Sequence, residues 1–193
     1  MKQLTKANFG IMTLKIFLPC LFFISTALNA QNYKPVDTGS KVHFVIKNFG
    51  INTGGDFTGL KGEIYFVFED PAISKFNVTI SASTIDTDNP SRDTHLRGDE
   101  YFDIQKYPDI KITSTKIDKT NKTSAGFYYF TGNITMHGIT KSISFPFHAE
   151  KVKDDFLFTG DFEIDRTDFE VGDKSSVLGN KVIVTLTILA KKN

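Results

Sequence analysis

Apolar and polar residues alternate along most of the chain beyond residue 31. In GEIYFVFED, residues 62–70, Gly62, Ile64, Phe66 and Phe68 fall on one face and Glu63, Tyr65, Val67 and Glu69 on the other, because successive side chains of a strand point to opposite sides. KVHFVIKN sets Val42, Phe44 and Ile46 against Lys41, His43 and Lys47, with Val45 out of pattern. KFNVTIS sets Phe76, Val78 and Ile80 against Asn77, Thr79 and Ser81. DIKITS repeats the pattern with Ile110 and Ile112, and FYYFTGNITM with Tyr128, Phe130, Gly132, Ile134 and Met136. ITKSISFPFHA aligns Ile139, Ile143, Phe145 and Phe147, and FLFTGDFEID aligns Phe156, Phe158, Phe162 and Ile164. KVIVTLTILA aligns Val182, Val184, Leu186 and Ile188. These eight segments, with YKPV as a candidate ninth, predict an all-β domain.

The connections agree with antiparallel pairing. FEDPAIS, DKTNKTSAG and KVKDD are polar and carry Pro, Gly or Asn suited to turns, and most gaps lack the helical crossover that parallel strands need. TGGDFTG, between two strand segments, reads as a turn. Pro146 falls on the outer face of its segment, which places it at an edge or a bulge. Only residues 89–110, NPSRDTHLRGDEYFDIQKYPDI, lose the alternation. There Ser91 is expected to cap a short helix that Gly98 stops. Strands apolar on one face either pack as two sheets or close into a barrel, and periodicity does not choose between the two.

The N-terminus carries a different signal. Lys2, Lys6 and Lys15 precede the apolar run Ile16–Leu28, and small Ala30 follows; this is the layout of a secretory signal peptide. The run is shorter than the ~20 apolar residues that span a bilayer, so the expected organisation is a leader over 1–30 and one domain over 31–193, with no transmembrane segment in the mature chain. Cys20 is the single cysteine and lies within the leader, after Pro19 where a lipoprotein signal has a small residue. The mature chain therefore has no disulfide, thiolate nucleophile or Cys-bound metal. Removing the leader leaves 20 basic against 22 acidic residues, with no basic stripe, which argues against nucleic acid as a partner.

The order SKVHFVIKNFG, GDFTGLKGEIYF, STIDTDNPSRDTHLRGDEYFDIQKYPDIKITSTKI, FTGNITMHGITKSISF and DRTDFEVG resembles the YceI family over residues 33–190. RDTHLRGDEYFD with YPDI, followed by GNITMHGITKSI, is its most specific part. The resemblance implies an extended eight-stranded antiparallel, lipocalin-like barrel with a short helical insertion between two strands. It also implies a long apolar pocket for an isoprenoid, quinone-like or fatty amphiphile, no cofactor, a possible homodimer, and export, to the periplasm or as a secreted protein. Many members carry His where this chain has Asn48, so a ligand contact made there would differ.

Under that resemblance the inward faces become candidate cavity wall: Val42, Phe44 and Ile46; Ile64, Phe66 and Phe68; Phe76, Val78 and Ile80; Ile112; Phe130 and Ile134; Phe145; Phe158 and Phe162; Val184 and Leu186. Gly62, Gly132 and Gly160 would leave room between the rings. Asn48, Arg92, Asp93 and His95 are candidates for the mouth, and Arg92, Arg97 and Lys141 for a phosphate head. Arg166 is expected to pair with Asp93 or Asp168. His43, His95, His137 and His148 have no metal-ligand spacing, and GxSxG, Walker and GxGxxG motifs are absent from the sequence. A lipid-binding protein is the leading expectation; an enzyme acting on amphiphilic esters in the same pocket and a self-packed structural or stress protein are the competing ones.

Overall fold

The computed structural model describes residues 31–120 and 125–193. The expected leader, residues 1–30 with Cys20, lies outside the described residues. Among the described residues the strands are β1 (Gln31–Asn48), β2 (Ile51–Phe57), β3 (Lys61–Phe66), β4 (Lys75–Ser81), β5 (Asp109–Lys119), β6 (Phe127–Met136), β7 (Ile139–Val152), β8 (Asp155–Asp165) and β9 (Leu178–Lys192), with one α-helix, α1 (Pro90–Leu96). All pairings between neighbouring strands are antiparallel, and β9 returns to β1 to close an eight-stranded barrel. Nine strands fill eight wall positions because β2 and β3 share one edge of β1. β3 lies opposite Gln31–Tyr33, and β2 lies opposite Val42–Asn48.

Several sequence expectations change here. YKPV is no separate strand but the start of β1, joined to KVHFVIKN through an irregularity between Val36 and Lys41. TGGDFTG is largely strand, since Thr53–Phe57 belong to β2. Gly54 and Gly55 fit there because the barrel leaves no room for a side chain. A Cβ at Gly55 would lie 2.7 Å from both the Asp86 carbonyl and the Phe44 ring. The cap of α1 is Asn89, whose side chain accepts from the Arg92 amide, and not Ser91; Pro90 then takes the first helical turn, where a missing N–H is harmless. β3 ends at Phe66, so Val67 is buried rather than outward and Phe68 lies past the strand. Pro146 sits one residue beyond the last β7–β8 pair, Phe147↔Gly160.

One end of the barrel is filled by aromatic rings. Phe66 packs edge-on against Tyr128 at 5.4 Å and against Phe156 and Phe158 at 5.1 Å. Tyr33 meets Phe156 at 5.2 Å, and Phe68 stacks on Phe156 at 6.1 Å. Edge-on pairs at these separations suit the ring quadrupoles. The Tyr128 hydroxyl donates to the Phe68 carbonyl at 3.0 Å, which ties the chain leaving β3 to this plug. Burial, with a smaller contribution from Glu69, pushes the Tyr128 hydroxyl up to about 12.

The opposite end is shaped by α1, the turns after it, and the segment between β8 and β9. Arg166, 3% exposed, organises that segment. Its Nε donates to the Gly179 carbonyl at 2.9 Å, Nη1 to Val171 and Gly172 at 2.8 Å, and Nη2 to Asp173 at 2.8 Å. The expected pairing with Asp93 or Asp168 is not formed. A loop that leaves the sheet exposes carbonyls without ladder partners, and a guanidinium fork satisfies several at once. Asp93 is instead buried against Thr87, accepting from its amide at 3.0 Å and from its hydroxyl.

Two stability outcomes follow. Arg166→Ala leaves those carbonyls without donors, and should lower stability by roughly 3–5 kcal/mol in denaturant unfolding. Arg166→Lys should recover only part of that loss, because an ammonium cannot span the same ring of acceptors. Tyr128 gives a pH signature. Its proton is held more tightly in the folded than in the unfolded chain, so the contribution is complete below pH 10, the ordinary value, and is lost as pH rises to about 12. Tyr128→Phe should therefore be about 1 kcal/mol less stable at neutral pH through the lost hydrogen bond. Its alkaline decline, followed by thermal melts, should be shallower than that of the parent.

Candidate functional site

Beyond the aromatic plug the barrel is hollow. A cavity of about 700 Å³ runs from the plug to the α1 end, within the range of ~300–1,000 Å³ usual for small-ligand sites. The wall arises from the alternation itself: each strand sends every second side chain inward, and these are aliphatic or Phe. β1 contributes Val42, Phe44 and Ile46; β3 contributes Ile64; β4 contributes Phe76, Val78 and Ile80; β5 contributes Ile112. Phe130 and Ile134 come from β6, Phe145 from β7, Phe158 and Phe162 from β8, and Val184 and Leu186 from β9.

Phe66 and Phe68 are placed differently from the sequence expectation. Both belong to the plug and do not line the cavity. The reason is the short β3: the wall turns over at Phe66, so these rings seal the tube rather than flank its lumen. The three inward glycines also separate. Gly160 lines the cavity, whereas Gly132 allows close backbone approach, since a Cβ there would lie 2.1 Å from the Thr113 carbonyl. Gly62 likewise serves the β3–β4 contact, with φ +115.

Several lining residues were not among the candidates. Phe57 and Thr53 come from β2, which the glycines disguised as a turn. Ile110, Phe147, Ile164, Val182 and Ile188 stood on the apolar faces of their segments and could have been named from periodicity. Tyr101, Phe102, Val171 and Leu178 come from irregular segments and the start of β9 and had no periodic signal.

The cavity reaches solvent between three segments: exposed His95 and Glu100 after α1's first turn, half-buried Asn48 and Thr53 of the β1–β2 hairpin, and exposed Asp173–Ser175 with Val177 all line it. Arg92 faces this opening. Its Nε donates to the Thr87 hydroxyl at 2.8 Å and its Nη2 to the Thr87 carbonyl at 2.6 Å. Asp93 does not reach the mouth; it holds Thr87, which in turn orients Arg92. His95 lies 3.1 Å from Glu100 and edge-on to Tyr101 at 5.0 Å. Arg97 is turned away, bonded to the Ser83 and Ile85 carbonyls, and Lys141, opposite Ile134 near the start of β7, is exposed and does not line the cavity. Among the described residues neither Arg92 nor Arg166 forms an ion pair, so two guanidinium charges bear on the mouth. Among the same residues no three His, Cys, Asp or Glu side chains gather as a metal site.

This geometry has close parallels. The chain is 38% identical over 122 residues to a UPF0312 protein of Photorhabdus laumondii, covering 62% of this chain and 61% of that one. It is 32% identical over 139 residues to a UPF0312 protein of Yersinia enterocolitica, covering 70% of each. The matched region thus spans little more than three fifths of the Photorhabdus relative's length. In three dimensions it superposes on Burkholderia cenocepacia BcnA with a TM-score of 0.74 at 23% identity, over 80% of this chain and 98% of that one. It also superposes on a polyisoprenoid-binding domain from Saccharophagus degradans with a TM-score of 0.68 at 14% identity, over 85% and 99%. The model of the YceI-like domain matches residues 33–190, nearly everything the structure describes, and the chain belongs to that family.

Proposed function

We propose that this protein is an exported, periplasmic binding protein that holds an isoprenoid or similar long-chain amphiphile, as carrier or reservoir. The single observation that carries the reading is the one-ended apolar cavity of about 700 Å³. Protein interiors ordinarily close-pack, with few voids larger than a water molecule, so a Phe-rich sequence that leaves this space open is shaped for something other than itself. The polyisoprenoid-binding Saccharophagus domain, with the same barrel, supports the choice of ligand class.

The physical account is simple. Each five-carbon unit drawn from water is worth about 4 kcal/mol at ~0.8 kcal/mol per carbon group, before chain ordering is subtracted. The tail lies along Val42, Val78, Ile112 and Leu186 and stops at the aromatic plug. The head stays at the opening, where Arg92, Asn48 and His95 supply polar contacts. The leader at residues 1–30 delivers the protein to the compartment where such lipids need an aqueous escort.

Organic extraction and mass spectrometry of protein expressed with its export signal should yield a long-chain lipid. Filling the lumen tests the site. Val184→Trp and Val78→Trp should reduce the recovered lipid at least fivefold while the melting temperature stays within a few degrees, because the added rings enter open space rather than a packed core. Phe130→Asp should lose lipid and stability together. Undiminished lipid in both Trp variants would overturn the placement, and clean extracts from the parent would overturn the reading.

A further inference from the structure

We propose that the tip of the β1–β2 hairpin is a docking surface for a lipid bilayer, which brings the cavity mouth against the membrane. Its purpose rests on the lipid-cargo reading; its chemistry does not. The turn Asn48–Phe49–Gly50–Ile51 closes the hairpin through the pair Asn48↔Ile51. Both central residues have positive φ, 50 at Phe49 and 77 at Gly50, the signature of a type I′ turn, which favours Asn, Asp or Gly at its first central position. A bulky aromatic there is an outlier.

The ring gains little in exchange. Phe49 is 73% exposed and Ile51 70%. A Cβ added at Gly50 would meet nothing within 4 Å, so the turn projects into open space. Folding explains neither residue: the backbone would prefer Asn, and water would prefer a polar side chain. Held strain and exposed apolar surface at one place point to use.

Position says what the use is. The Phe49 amide donates to the Val177 carbonyl at 2.8 Å, which binds the tip to the mouth loop. Asn48 and Val177 both line the cavity, and Val177 is itself 40% exposed. Lys47, just before the turn, and Lys174, three residues before Val177 at the mouth, are exposed, and exposed Asp173 adjoins Lys174 in sequence. A protein partner or a second copy needs a broad complementary patch, about 800 Å² per side. Apolar side chains on a narrow projecting turn cannot supply that. A bilayer interface takes up isolated Phe and Ile side chains without shape matching, and nearby lysines favour its anionic headgroups.

The test uses protein recovered in soluble form from an exporting host, its N-terminus read by mass spectrometry. It is floated with vesicles of phosphatidylethanolamine containing a minority of phosphatidylglycerol. The parent should co-float. Phe49→Asn should weaken partitioning about tenfold, the loss expected when one aromatic side chain stops contributing its burial, and should raise the melting temperature because Asn suits the turn. Ile51→Thr should weaken partitioning further. Opposite signs on stability and binding separate docking from a structural role. A lowered melting temperature with unchanged flotation in Phe49→Asn would overturn the proposal. So would absence of flotation by the parent, or a concentration-dependent dimer that Phe49→Asn dissolves while the parent ignores vesicles. Lipid extracted from the same preparations keeps the two readings apart. Cargo without flotation overturns docking alone; tip-dependent flotation without cargo supports docking and removes the cargo reading.

Discussion

The first and last strands meet along the whole height of the molecule, from Tyr33↔Lys192 to Asn48↔Leu178. That pairing turns a sheet into a tube. It satisfies the backbone groups of two strands that would otherwise be edges, the usual weak points of β proteins. It also fixes which side chains face the lumen, because a shift by one residue would send Val42, Phe44 and Ile46 outward and bring Lys41 and His43 in. The irregularity between Val36 and Lys41 lets one long strand serve β3 at its start and β2 at its end without losing contact with β9. The cavity therefore depends on an interaction between residues far apart in sequence.

Closure alone would not keep a hollow barrel folded. The interior divides into a dense half and an open half. Tyr33, Phe66, Tyr128 and Phe156 concentrate ring contacts at one end, where edge-on pairs recur at 5.1–5.4 Å. At the other end Arg166 gathers a loop around its guanidinium, and Asp93 secures the chain before α1 through Thr87. Both charged groups are buried and bonded almost wholly to neutral partners. Much of the stability is thus placed at the two ends, while wall rings such as Phe130 and Phe145, stacked at 4.9 Å, pack along the barrel between them.

The strand pattern made most of this legible. Period-two segments from Phe76 to Leu186 point the same residues inward that surround the cavity, because inward and outward positions differ sharply in polarity. What escaped was local backbone chemistry. β2 was hidden by Gly54 and Gly55, which look like turn residues but are needed where Phe44 and Asp86 crowd the chain. Phe66 and Phe68 were indistinguishable from wall residues because alternation does not reveal where a strand stops. The partners of Arg166 and Asp93 were misread for a related reason. Charge suggests ion pairs, whereas folded loops present carbonyl and amide groups that no residue pattern displays.

The ladder between β7 and β8 stops at Phe147↔Gly160, although both strands continue, each still bonded to its other neighbour. Past that point the seam is held by side chains, with Phe145 and Phe162 stacked at 4.8 Å. Rings can slide over one another at little cost, whereas hydrogen-bonded rungs break one by one. This stretch of wall therefore has no ladder rungs, as is also the case at the far edge of β2, whose ladder is with β1 and which otherwise makes the isolated bridge Asp56↔Asp86. Widening of the bore at the β7–β8 seam would separate rings without breaking a rung of any ladder.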